Sequence, residues 1–195
     1  MNGKLTTNDA LIVSGSDKGF HFIAELLPKN DFPRIDRARS AGEAKRMLLN
    51  CQYDIIFINT PLSDEMGYDF AMSLPEDSPS CIMLIVKNEV FDDISHRVEN
   101  YGILTVPKPL SKQIFYHSLK LLCAMREKLR LMEKKNASLV EKMNEIRLVN
   151  RAKWILIDYL KMNEAQAHRY IEKQAMDMRV TRKEIAETLI RTYEN

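Results

Sequence analysis

The residues of this chain best suited to chemistry are cations near its carboxyl end. Arg151, Lys153, Arg169, Lys173, Arg179, Arg182 and Lys183 fall within a short stretch, interleaved with His168 and Trp154. Guanidinium and ammonium groups take phosphates, and flat rings take unstacked bases, so the pattern suits a polyanionic partner. Arg169 and Lys173 are four residues apart and share one helix face. Each cation alone would be read as a solvated surface charge. Trp154 is read as core or bundle edge rather than as a stacking ring, because a large indole gains most from burial. No Ser, His and Asp arrangement, metal-ligand spacing or Gly-rich phosphate loop stands anywhere in the chain, so no enzyme, cofactor or metal site is expected.

Charge supports the same division. Residues 1–110 carry 11 Lys and Arg against 16 Asp and Glu, and residues 111–195 carry 18 against 11, giving −5 for the head and +7 for the tail. A basic tail behind an acidic head points to nucleic acid at the tail. The three cysteines, Cys51, Cys81 and Cys123, are scattered and odd in number, which fits reduced, mostly buried thiols. The opening residues, Met1 to Asp9, lack a basic segment followed by an apolar run. No stretch approaches the ~20 apolar residues of a membrane span, so a cytoplasmic protein is expected.

The elements that must position these residues follow from periodicity. Apolar runs at 10–13, 54–58, 81–86 and 103–106 read as strands, with a weakly marked one at 34–38. Between them GFHFIAELL, AGEAKRMLL and VFDDISHRVEN repeat at helical spacing, and a further helix is expected over 64–73. This βα alternation predicts a doubly wound parallel sheet of five strands over residues 1–110. From Leu110 past Lys153 there is neither Gly nor Pro, so one long helix is predicted, with a dimerisation segment at 111–150. A heptad with Phe115 at a places Leu122, Met125, Leu129, Met132, Leu139, Met143 and Ile146 on one seam, interrupted by Asn136. One core Asn paired across a two-stranded parallel coil fixes register at some cost in stability, so a homodimer is expected. The competing reading packs this stripe on the chain's own head, but a helix of about forty residues reaches roughly 60 Å and outruns a small domain. In residues 151–195, Asn163 with Gln166 and Thr181 with Glu184 are cap pairs, so helices should begin just after 163 and 181. Ala167, Tyr170 or Ile171, Ala175 and Met178 would line one core face, Ile185, Ala186, Leu189 and Ile190 another, and Ile155, Leu156 and Tyr159 would close a three-helix bundle.

Over roughly residues 8–120 the head resembles the receiver domain of response regulators, a flavodoxin-like fold. That resemblance implies an acidic pair after the first strand, an acceptor aspartate after the third and a lysine before a proline after the fifth. Here ALIVSGSD puts Ser14 and Gly15 at the acidic pair, DIIFINTPLSDEMG puts Asn59 at the acceptor position, and Lys108 survives in PKP. An amide is a poor phosphoryl acceptor and magnesium prefers carboxylates, so a pseudo-receiver controlled independently of aspartyl phosphorylation is expected. Lys108 is read as bonding Asn59 or a carbonyl, and Asp17, Asp64 and Glu65 as facing water. Control would come from a sensor protein, a ligand-binding regulator, a ligand or abundance.

The run AKWILIDYLKMNEAQAHRYIEKQAMDMRVTRKEIAETLI, residues 152–190, resembles the ANTAR domain of transcription antiterminators. Ala152, Lys153, Ala167, Arg169, Ala175, Met176, Arg179 and Ala186 match. His168 stands where the family usually has another aromatic, and Trp154 where it usually has Gly. The resemblance implies dimeric binding of tandem hairpins in leader RNA, with Arg151, Lys153, His168, Arg169, Lys173, Arg179, Arg182 and Lys183 as the RNA-binding candidates. Two rivals stand beside this. One is a DNA-binding response regulator using the tail as a helix-turn-helix, although Met178 to Thr181 lacks the Gly common in that turn. The other is an adaptor that scaffolds a sensor protein.

Overall fold

The computed structural model describes residues 7–74 and 78–193. Residues 1–6, part of the stretch on which the expectation of no export segment rests, lie outside them. Among the described residues no helix is long and apolar enough to cross a membrane. The chain divides into two compact units, residues 1–131 and 132–195.

In the head, β1 (Asp9–Ser14), β2 (Arg34–Ala38), β3 (Ile55–Asn59), β4 (Cys81–Lys87) and β5 (Leu104–Lys108) alternate with α1 (Asp17–Leu26), α2 (Ala41–Asn50), α3 (Tyr68–Met72) and α4 (Phe91–Val98). The sheet is parallel throughout, in the order β2-β1-β3-β4-β5. This is the expected doubly wound fold. Its central strands are continuous apolar runs because both faces are covered. Leu11, Val13, Ile56, Ile58, Leu84 and Val86 enter one core, whereas Ala10, Ile12, Ile55, Phe57, Met83 and Ile85 enter the other, the alternation that strand geometry imposes. The helix expected over 64–73 is shorter at its start. Gly67 adopts φ +87°, a left-handed conformation that keeps residues 64–67 in a turn. Asp64 there accepts the N–H groups of Ala41 at 2.9 Å and Gly42 at 3.0 Å, capping α2 and holding its own carboxyl below the usual range.

Helix α5 (Lys112–Leu160) gives its opening turns to the head and the rest to the tail. Phe115, Leu119 and Leu122 are fully or almost fully buried against the sheet, with the Phe115 ring 6.0 Å from that of Phe57. Leu122 therefore corrects the expected dimer seam: its heptad position coincides with the stripe by which α5 docks on its own sheet. Met125 and Leu129 are exposed.

An ion cluster also fastens the opening of α5. Arg126 Nε donates to Asp54 Oδ1 at 3.0 Å, Arg130 Nη2 lies 2.8 Å from Oδ2, and the Asp9 amide donates to Oδ2 at 2.9 Å. Burial of Asp54 disfavours its charge, but these donors outweigh burial and hold the carboxyl below the ordinary aspartate range. Asp54→Ala takes the carboxylate from the buried Arg126, and a loss of about 2–3 kcal/mol is expected in denaturant unfolding at neutral pH. Because the folded-state pKa is depressed, the contribution is present above the unfolded pKa and is lost as pH falls through the folded value. The gap between wild type and variant should therefore close well below pH ~4.

The tail packs the end of α5 against α6 (Glu164–Met178) and α7 (Arg182–Tyr193). Both caps form as expected. Asn163 and Gln166 bond reciprocally at 2.9 Å, and Thr181 Oγ1 accepts the Glu184 amide at 3.2 Å while Glu184 Oε2 accepts the Thr181 amide at 2.7 Å. Ala152, Leu156, Ala167, Ile171, Ala175, Ile185 and Ala186 form the core, flanked by Tyr170, Leu189 and Ile190. Two expected core residues are corrected. Met178, on the last turn of α6, and Tyr159 are both exposed, and the Tyr159 ring packs instead against Tyr193, centroids 5.3 Å apart.

Candidate functional site

In the head, the order of the sheet makes β1 and β3 neighbours from which the winding departs in opposite directions. Their carboxyl ends therefore open a crevice not covered by a crossover. Ser14 and Asn59 are register partners at its floor. Asn59 Nδ2 donates to Ser14 Oγ at 3.0 Å, and Ser14 Oγ donates to the Ser16 carbonyl at 3.1 Å, a short chain of neutral polar groups. Gly19 in the first turn of α1 admits this arrangement, since a Cβ there would stand 2.2 Å from Asn59 Nδ2. The Lys108 ammonium donates to the Thr60 carbonyl, one of the two partners foreseen for it. Burial, with the charge of Lys87, lowers its pKa. Asp17 turns to Arg37, 2.6 Å away, and Arg39, 3.6 Å away, and the Arg37 hydrogen bond leads in holding its pKa down. Neither Asp17 nor Asp64 simply faces water, since one pairs with arginines and the other caps a helix.

In the tail, three of the candidate residues from separate helices line one pocket of about 400 Å³: Lys153 from α5, His168 from α6 and Arg182 from α7. Each is held by a carboxylate. Lys153 Nζ lies 3.1 Å from Glu164, His168 Nε2 lies 3.2 Å from Glu172, and Arg182 reaches Glu145 at 3.2 Å and Glu172 at 4.0 Å. Solvated pairs of this kind are worth on the order of 0–1 kcal/mol, so a phosphate can displace the carboxylate from His168 or Arg182 at small cost. The Lys153 side chain is only 15 % exposed and binds the first residue of α6, which makes it a tie between helices as well as a cation.

A family model described as the ANTAR domain matches residues 137–190, which include this pocket. The chain carries an ANTAR domain. The transcriptional regulatory protein PdtaR of Mycobacterium tuberculosis is 23% identical over 170 residues, spanning 87% of this chain and 83% of the relative. The head has the receiver fold. A two-component response regulator from Clostridium difficile superimposes with a TM-score of 0.51 at 21% identity, over 60% of this chain and 97% of that one. A structure described as adenylate cyclase from Rhodopirellula baltica gives 0.58 at 15% identity, over 68% of this chain and 97% of that one, a likeness of fold alone. A receiver-like head with an ANTAR domain is the organisation of an antitermination regulator of the response-regulator type.

The ANTAR domain does not gather every candidate at the pocket. Arg169 and Lys173 are exposed on α6, opposite the face that buries Ala167, Ile171 and Ala175. Arg179 ends α6 in a left-handed conformation, φ 54°, where Gly or Asn is usual, and its amide bonds back to the last turn. Lys183 is half-buried on α7, and Arg151 is exposed on α5. Trp154 departs from expectation: it is 71% exposed, and with Arg147, Arg151 and Tyr159 it lines a groove of about 740 Å³ on α5. Sequence reasoning passed over Lys142, Glu145 and Asn150 of the pocket. Lys142, Glu145 and Asn150 recur at three, four and seven residues with Ile146, Val149 and Lys153, and that spacing was the available signal.

Proposed function

We propose that this chain is a non-catalytic cytoplasmic transcription antiterminator that binds paired leader-RNA hairpins as a homodimer, independently of aspartyl phosphorylation. The observation that carries the reading is the convergence of Lys153, His168 and Arg182 on one pocket within the residues matched by the ANTAR model. A concave site with exchangeable cations and a ring suits a looped-out nucleotide and its flanking phosphates. The open indole of Trp154 beside Arg147 and Arg151 supports a second stacking position on the same domain. Met132, Leu139, Met143 and Ile146 are exposed within the tail's portion of α5, and a partner helix would cover them. In the head, the Asn59–Ser14 amide–hydroxyl pair supports phosphorylation-independent control, exercised by a sensor, a ligand-binding protein or a ligand.

Gel shifts on the purified full chain test this. Leader RNA carrying two adjacent hairpins that overlap a terminator should be retarded, with affinity falling steeply as salt rises, while duplex DNA should not. Retardation of duplex DNA instead would establish the DNA-binding reading. Retardation of neither would leave the adaptor.

A further inference from the structure

We propose that the head crevice binds a small organic anion, an oxoanion headgroup on an apolar body. The site differs from the RNA pocket and does not depend on it. The crevice encloses about 570 Å³, within the ordinary range for small-molecule sites. Lys18 and Lys108 line it, and among the described lining residues none is acidic. Asp17, at the start of α1, is committed to Arg37 and Arg39.

Lys108 is the anchor. Its ammonium is half-buried and among the described residues donates to the neutral Thr60 carbonyl, leaving two N–H groups for a ligand. A half-buried cation with a second one, Lys87, acting on it is costly unless an anion reaches it, and the crevice is open to one. Asn59 gives one N–H to Ser14 and retains a second. The walls are of the opposite character. Phe22, Ile23, Ile85 and Leu110 line the same space, with Phe22 41% exposed at its rim. Inorganic phosphate would satisfy the lysines and leave these side chains wet. A carboxylate or phosphomonoester bearing an aryl or alkyl group would satisfy both, and one bound here would let the head respond to a small molecule without any phosphoryl transfer.

Isothermal titration of the full chain with phenylacetate, phenyl phosphate, inorganic phosphate and the neutral 2-phenylethanol tests the site. The two aryl anions should bind, inorganic phosphate about tenfold or more weakly, and the alcohol not at all. Lys108→Met should weaken the aryl anions by about tenfold or more. Should that variant fail to fold, the exposed Lys18→Met is expected to weaken them by about threefold, and the Asn59 side-chain amide of the wild type should shift in ¹H–¹⁵N spectra on titration. The proposal is overturned if neither aryl anion binds at about 10 mM, if the alcohol or inorganic phosphate binds as well, or if Lys108→Met binds as wild type does. Gel shifts of these variants report on RNA separately, so failure here leaves the RNA reading standing.

Discussion

Exchanging Arg169 and Lys173 together for glutamate should abolish retardation of the paired-hairpin RNA while leaving the fold intact. Both side chains stand on the face of α6 opposite Ala167, Ile171 and Ala175, so neither contributes to the core. Each reversal replaces attraction to a phosphate with repulsion and removes a counterion-releasing contact. The double variant should lose about a hundredfold or more in affinity at moderate salt, and its remaining binding should show a shallower salt slope. Stability should move by no more than about 0.5 kcal/mol, as for other exposed substitutions. A double variant that shifts RNA as strongly as wild type would remove this face of α6 from the interface. Lys153→Glu is less informative, because losing the Glu164 contact also loosens the junction of α5 and α6.

The other large effect concerns assembly. Leu139 and Met143 are 57% and 55% exposed and lie four residues apart on the heptad seam of α5. Replacing both with aspartate places two like charges at adjoining core positions of a paired helix. Light scattering at micromolar concentration should report a dimer for wild type and a monomer for the variant. Each monomer would retain its own tail core, which uses Val149, Ala152 and Leu156 and neither of the replaced residues. Affinity for single hairpins should therefore persist, whereas the gain from tethering two hairpins, on the order of a hundredfold or more, should vanish. A double-aspartate variant that remains dimeric would place the seam elsewhere.

The sheet was legible because buried parallel strands are written as unbroken Ile, Val and Leu runs. The tail helices were legible because capping residues mark their starts irrespective of tertiary context. The end of the head was less so. A three-four apolar spacing serves equally for docking on a sheet and for pairing with another helix, and Leu122 satisfies both patterns until the sheet is present to claim it. The site was half legible for a similar reason. Lys153, His168 and Arg182 could be named from residue type, and Lys153 from the family pattern as well. Their convergence depends on the turns between α5, α6 and α7, and the carboxylates Glu145, Glu164 and Glu172 that hold them are ordinary helix-surface residues in the sequence. Trp154 was misplaced because size predicts burial only on average. In α5 it projects away from the stripe of Val149, Ala152 and Leu156, on the side that carries Arg147 and Arg151.

The amide–hydroxyl pairing at the floor of the head crevice also bears on engineering. An aspartate introduced at position 59 alone would meet the Ser14 hydroxyl, not the paired carboxylates that seat a divalent ion. Rewiring this head to accept a phosphoryl group thus calls for concerted changes on two neighbouring strands.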